Sequence, residues 1–251
     1  MDFYFLGPLM AKEGPSGVNI PGTRDRKILA ALLLNSNRPV HIDLLIDVVW
    51  DDDPPATARQ QVQNRLGSLR SRLGTGTHQI NRVGSHYVLQ VTDDQVDGLT
   101  FRNLCSEADL TASINNRETA IKLLRDGLEL WRGSPIEDID SVKLQVEAIR
   151  WKEYHLKAIE TLIELEFSLN RHRLLTADLH GWIASYPYHE GLHCRLAEAM
   201  DAGSRTAEAL GVLSGLRDRL ARELGISTSP LVEELYHRIL RGTGAAVVAI
   251  R

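Results

Sequence analysis

Asp51-Asp52-Asp53-Pro54-Pro55-Ala56-Thr57-Ala58-Arg59-Gln60-Gln61-Val62-Gln63-Asn64-Arg65-Leu66-Gly67-Ser68-Leu69-Arg70-Ser71-Arg72-Leu73-Gly74 reads as one long helix with marked ends. Three acids and a Pro-Pro pair signal a helix start, because carboxylates favour the positive N-terminal end and proline fits the first turn. Gly74 is a natural stop. Between these marks Val62, Leu66, Leu69 and Leu73 recur at helical spacing and define one stripe to be buried. The other faces carry Arg59, Gln60, Gln61, Gln63, Asn64, Arg65, Ser68 and Arg72, side chains suited to reading base edges or holding phosphates.

Charge sharpens that reading. From Pro54 to Thr92 there is no Asp or Glu, while Arg59, Arg65, Arg70, Arg72 and Arg82 supply fixed positive charge. Phosphates repel carboxylates and attract guanidinium groups, so this window has the form of an electrostatic footprint. An ordinary solvated helix face is the competing interpretation. The following residues tip the balance: Gln79–Val83 and His86–Val91 read as a hairpin turning at Gly84-Ser85. A helix followed by a two-stranded wing is a way to grip DNA.

Bulk composition adds limits but no direction. The chain has 251 residues, enough for two domains with their own cores. Net charge is −4, so only local segregation speaks for nucleic acid. No apolar run approaches the ~20 residues of a membrane span. The N-terminus lacks the basic and apolar regions of a signal peptide. Cys105 and Cys194 have no motif spacing. A cytoplasmic, nucleoid-associated protein is expected.

Upstream of the helix, Phe3–Leu6, Leu9–Ala11 and Val18–Ile20 read as strands separated by Gly/Pro turns. Thr23 is placed to cap a helix running to Asn35. His41–Trp50 reads as a second helix, opening at or just before Asp43. The order strands, helix, helix, long helix, hairpin is that of a winged helix–turn–helix with an N-terminal sheet.

These residues resemble a known family. Phe5-Leu6-Gly7-Pro8-Leu9, Asp43–Trp50, Asp53–Arg59 and Leu69–Gly74 are similar to segments of the Streptomyces antibiotic regulatory protein (SARP) family. The similarity continues through Leu130-Trp131-Arg132-Gly133, Tyr186-Pro187 and Glu223–Leu231. The resemblance implies an OmpR-type winged helix joined to an all-helical bacterial transcriptional activation domain. It further implies activation of antibiotic-biosynthesis genes by binding promoter direct repeats and engaging RNA polymerase holoenzyme, as a homodimer or as tandem protomers on double-stranded DNA. By the same analogy Gln60, Gln61, Gln63, Asn64, Arg65 and Ser68 face the major groove, with Arg59 on the same helix. Trp50 and Arg70 would sit near phosphates, and Arg82 and His86 would extend from the wing. Tyr87 matches the aromatic of a Gly-Tyr wing motif whose glycine is here His86. Gly67 stands where a larger residue is usual and costs roughly 1 kcal/mol of helix stability relative to Ala.

Beyond Asp97 the composition shifts to helix formers. Helices are expected near Thr100–Ala112, Arg117–Arg132, Ser141–Asn170, Arg173–Tyr186, His189–Met200, Thr206–Glu223 and Pro230–Leu240. Helices joined by short turns suggest a tetratricopeptide-like stack, although no 34-residue repeat is visible. The expected fold class is therefore mainly α with a small α+β part. Its expected divisions are a winged-helix domain at 1–97, an all-helical domain at 98–242 and a tail at 243–251, either unstructured or docked on a neighbour.

His189-Glu190-Gly191-Leu192-His193 matches H-E-x-x-H, the spacing with which a helix presents two imidazoles to zinc. Pro187 places His189 in the first turn, Arg195 follows where an apolar residue is usual, and no third-ligand signature appears. The motif is expected to be a helix start capped by Glu190, with its histidines on the surface or in a groove. His155, His172, His180 and His237 are expected at the surface, and Trp131, Trp151 and Trp182 in packing roles. No enzyme activity, metal or cofactor is expected. The alternative function is a helical interaction scaffold with a degenerate winged helix.

Overall fold

Short β-prone runs cut by glycine and proline give the N-terminal end its strands. In the computed structural model, which describes residues 1–51, 53–74 and 79–248, β1 (Asp2–Tyr4) and β2 (Met10–Glu13) pair antiparallel with Phe3 opposite Ala11. β3 is Ser16–Gly17, two residues earlier than the expected Val18–Ile20. The cause is Gly14, whose φ of 58° closes the turn early, so that Glu13 pairs with Ser16 and only Val18 N–H still bonds back to Ala11.

The next elements form the winged helix. Helix α1 (Thr23–Leu34) buries Ile28, Leu29, Leu32 and Leu33. Its cap residue is Gly22; Thr23 is already helical, and no side chain caps the start. Helix α2 (Ile42–Trp50) is capped by His41, whose Nδ1 accepts from the Asp43 N–H at 3.3 Å. Helix α3 (Ala58–Leu73) buries Val62, Leu66, Leu69 and Leu73, as the apolar stripe requires, and ends at Gly74 with φ 74°. The acid run does not open this helix. Asp51 closes α2 instead, its N–H bonded to Asp47, and the first turn of α3 holds no acid; Asp52 lies outside the described residues. β5 (Gln79–Val83) and β6 (His86–Gln90) form the wing, and β4 (Val40–His41) pairs on the far side of β6.

Among the described residues seven α-helices follow: α4 (Asp97–Ser113), α5 (Arg117–Leu128), α6 (Val142–Ser168), α7 (Thr176–Ser185), α8 (Glu190–Ala202), α9 (Thr206–Leu224) and α10 (Pro230–Val248). Apart from the end of α10, their limits fall within a few residues of the sequence reading. One departure is Arg173–Tyr186, where a 3-10 turn at His172–Leu175 precedes α7. The backbone of α10 runs into the expected tail, of which 249–251 lie outside the described residues.

Packing divides the chain into a unit of residues 1–160 and a unit from 161 onward. Within the first, α4 packs on α5, and Asp97 at the start of α4 holds the N-terminal chain. Its carboxylate accepts from the N–H groups of Phe5 and Leu6 at 3.0 Å and from Arg132 at 3.3 Å. Burial pushes the Asp97 carboxyl upward, against the lowering effect of these bonds. Next to it, Gly98 leaves room for the Phe5 ring: a Cβ there would lie 2.2 Å from Phe5 Cζ. Phe5 in turn meets Trp151 of α6 edge-on at 4.8 Å. His155 is half-buried and not fully at the surface; it lies against Trp131 at 4.1 Å, and partial burial pushes its pKa down to about 4.

In the second unit α7, α8, α9 and α10 stack as successive neighbours. The histidine motif there serves packing. His189 caps α8 by accepting from Leu192 N–H, and His193 is buried with Nε2 at 3.1 Å from the Pro187 carbonyl. Glu190 does not cap its own helix: it accepts the Ser229 N–H at the start of α10. His193 thus departs from the expected surface or groove position, since the first turn of α8 points it inward. Among the described residues no group of three or more His, Cys, Asp and Glu could hold a metal ion. No described helix is long and apolar enough to cross a membrane.

Candidate nucleic-acid interface

The apolar stripe of α3 decides what the helix presents outward. At 3.6 residues per turn, positions 60, 64, 67 and 71 stand opposite 62, 66, 69 and 73. Gln60, Asn64, Gly67 and Ser71 are accordingly exposed along the centre of the outer face. Gln60 Nε2 donates to Asn64 Oδ1 at 3.0 Å, aligning two amides one turn apart. Gln63 flanks them on one side, and Gln61 and Ser68 on the other, all half-buried. Nothing lies within 4 Å of a Cβ built on Gly67. The helix therefore has a flat centre with amides above it, a surface on which a base edge can approach the backbone.

The guanidinium groups divide into two sets. Arg59 pairs with Asp43 at 2.6 Å and Arg65 with the buried Asp25 at 2.9 Å, so both fix α3 against α2 and α1. Arg70, Arg72 and Arg82 have no carboxylate partner among the described residues. Arg70 Nε donates to the Ile80 carbonyl at 2.6 Å and its guanidinium lies 5.8 Å from the Tyr87 ring, joining α3 to the wing. Among the described residues, Arg72 makes its one side-chain hydrogen bond to Ser68 Oγ, at 3.4 Å. Arg82 donates to the Gly84 carbonyl at the wing turn, which Ile42 N–H secures through Ser85 O at 2.9 Å.

Two wing residues differ from the expectation. Tyr87 is 2% exposed, because the alternation of β6 turns it into the core with Leu89; it supports Arg70 and offers no outer surface. His86 sits half-buried beside His41, rings 4.8 Å apart, and is paired with Val83 across the wing. The missing glycine does not disturb the turn, because Gly84, at φ 60°, already supplies the positive φ that a two-residue hairpin needs.

Trp50 is half-buried at the end of α2 with Arg24 over its ring at 5.2 Å; Arg24 also donates to Gln61 at 3.3 Å. The sequence reading missed Arg24 and Ser71. Ser71 was recoverable from the helical period alone. Arg24 was not, because nothing local says that the first turn of α1 meets the middle of α3.

The family model described as the bacterial transcriptional activator domain matches residues 96–240. Over 251 residues the chain is 28% identical to the regulatory protein DnrI of Streptomyces peucetius, covering 96% of this chain and 92% of that one. It is 30% identical over 243 residues to the regulatory protein AfsR of Streptomyces coelicolor, covering 97% of this chain but 24% of that one. Among solved structures it is similar to Mycobacterium tuberculosis EmbR in complex with a low-affinity phosphopeptide. There the TM-score is 0.84 at 28% identity, over 99% of this chain and 70% of that chain.

Proposed function

Because the chain belongs to the bacterial transcriptional activator domain family and is a SARP-type regulator, we propose that it activates transcription by binding specific promoter DNA through α3 and the wing. In this proposal residues 1–97 bind the duplex, residues 98–242 contact RNA polymerase holoenzyme or a second protomer, and 243–251 are a tail. The centre of α3 enters the major groove, where Gln60, Gln63 and Asn64 hydrogen-bond base edges and the flat position at Gly67 permits close approach. Arg70, Arg72 and Arg82 neutralise phosphates, with Arg24 and Trp50 at the edge of the footprint. Two protomers on direct repeats lie head to tail, one or two helical turns apart, about 34–36 Å per turn. The regulated genes are those of an antibiotic or other secondary-metabolite pathway, by analogy with the family.

The observation that carries this reading is the open outer face of α3, flanked by guanidinium groups without carboxylate partners among the described residues. A gel shift tests it, using duplex from upstream of the neighbouring biosynthetic genes. A retarded band that resists scrambled competitor is expected. Folded protein giving no band at low salt would instead favour the interaction scaffold.

A further inference from the structure

Away from α3, the first unit holds a cleft lined by three arginines, two of which lie against one aromatic ring. Arg38 comes from the turn after α1, Arg102 from α4 and Arg150 from α6, and Leu33 and Trp151 contribute apolar lining. Arg102 and Arg150 each place their guanidinium carbon 5.8 Å from the centre of the Tyr154 ring. Arg150 Nε also donates to the Tyr154 hydroxyl at 3.1 Å. None of the three arginines has a carboxylate partner among the described residues. Glu147, one turn before Arg150 on α6, acts on it through its charge, without a contact ion pair among the described residues.

Like charges gathered with only Glu147 acting on one of them still repel one another, and a tyrosine face offsets only about 0.5–1 kcal/mol per exposed cation. A single carboxylate satisfies one arginine fork. Three forks suit a ligand with more oxygens and at least two negative charges. The cleft is narrow inside, with room for about one water, so an anion meets the guanidinium groups at its mouth and is not enclosed. Nor is the cleft part of the duplex footprint. The first turn of α1 touches α3 through Arg24 and Asp25, whereas the last turn lines the cleft through Leu33 and Leu34, about 13–14 Å further along the helix axis.

We propose that the cleft formed by Arg38, Arg102, Arg150 and Tyr154 binds a phosphate dianion, either free or as a small phosphate monoester. The bound anion ties the turn after α1 to α4 and α6, and so stabilises the first unit as a whole.

Calorimetric titration of the full chain at constant ionic strength tests this, with inorganic phosphate in one arm and ribose 5-phosphate in the other. Saturable binding of one equivalent is expected, and the arm with the higher affinity identifies the source. Arg102→Gln with Arg150→Gln should weaken it at least about tenfold, the loss expected for charged hydrogen bonds. Arg70→Gln with Arg72→Gln should leave it unchanged. NMR of the arginine Nε groups in the unsubstituted chain reads the same site without relying on the folding of a variant: phosphate should shift Arg102 and Arg150. Absence of saturable heat up to on the order of 10 mM of either probe would overturn the proposal. So would full affinity in the folded cleft variant, or phosphate-induced shifts confined to Arg70, Arg72 and Arg82.

Discussion

Arg70 and Arg72 lie two residues apart on α3, yet the structure gives them different work. Arg70 holds the wing through the Ile80 carbonyl and Tyr87, while Arg72, among the described residues, bonds Ser68 alone. Arg72→Ala should therefore weaken binding to all sequences evenly and reduce the salt slope by about 1, without loss of stability. Arg70→Ala should do the same and also lower the unfolding midpoint, measurable by urea titration; an unchanged midpoint would show that the Ile80 bond contributes nothing. Gly67 gives a stability test. Its exposed mid-helix position has room for a methyl group, so Gly67→Ala should stabilise the fold by about 1 kcal/mol, and a destabilised variant would contradict the reported space. The helical period in the sequence was enough to find these outward positions. It could not show that Tyr87 turns inward or that Arg65 is held by Asp25, because both depend on partners distant in sequence.

At the scale of elements, the long helix and its hairpin were legible because an apolar stripe and a glycine turn are local signals. The acid run misled, since the same residues serve equally well to end α2. The strand at Ser16–Gly17 was hidden because Gly14 sets the turn length, and no side chain announces it. The junction of Asp97, Gly98, Phe5 and Trp151 was invisible, as its members lie far apart along the chain. Its tightness predicts that Gly98→Ala destabilises by several kcal/mol, on the order of 2–4, because the Phe5 ring must move in a filled core. A loss below about 0.5 kcal/mol in chemical denaturation would show that the ring yields freely. His155 offers a test by pH. Folded, it stays neutral down to about 4, whereas unfolded it takes a proton near 6.5. The unfolded state thus binds more protons between these values, so stability falls as pH drops through that window, by up to ~3 kcal/mol. His155→Phe should flatten that part of the pH–stability curve, and a curve identical to the parent's would contradict the assignment.

For the whole molecule, the winged helix followed by stacked helices was readable because the helix breaks are marked by Gly, Pro and Asn. The family match over 96–240 agrees with that reading of the second half. The net charge of −4 gives no pointer to nucleic acid; the proposal of DNA binding comes from the contrast between an acid-free segment and the rest. In the proposed function the outer face of α3 reads bases while its arginines and that of the wing hold phosphates. Fluorescence anisotropy on cognate and scrambled duplexes over a salt series tests this most directly, comparing the parent chain with Gln63→Ala and Asn64→Ala. The parent should show a log–log salt slope of about −3 or steeper, from three arginines without carboxylate partners among the described residues. The two variants should lose affinity for the cognate duplex by about 1–3 kcal/mol while binding scrambled DNA as the parent does. Equal losses on both duplexes, or a binding constant indifferent to salt, would contradict it.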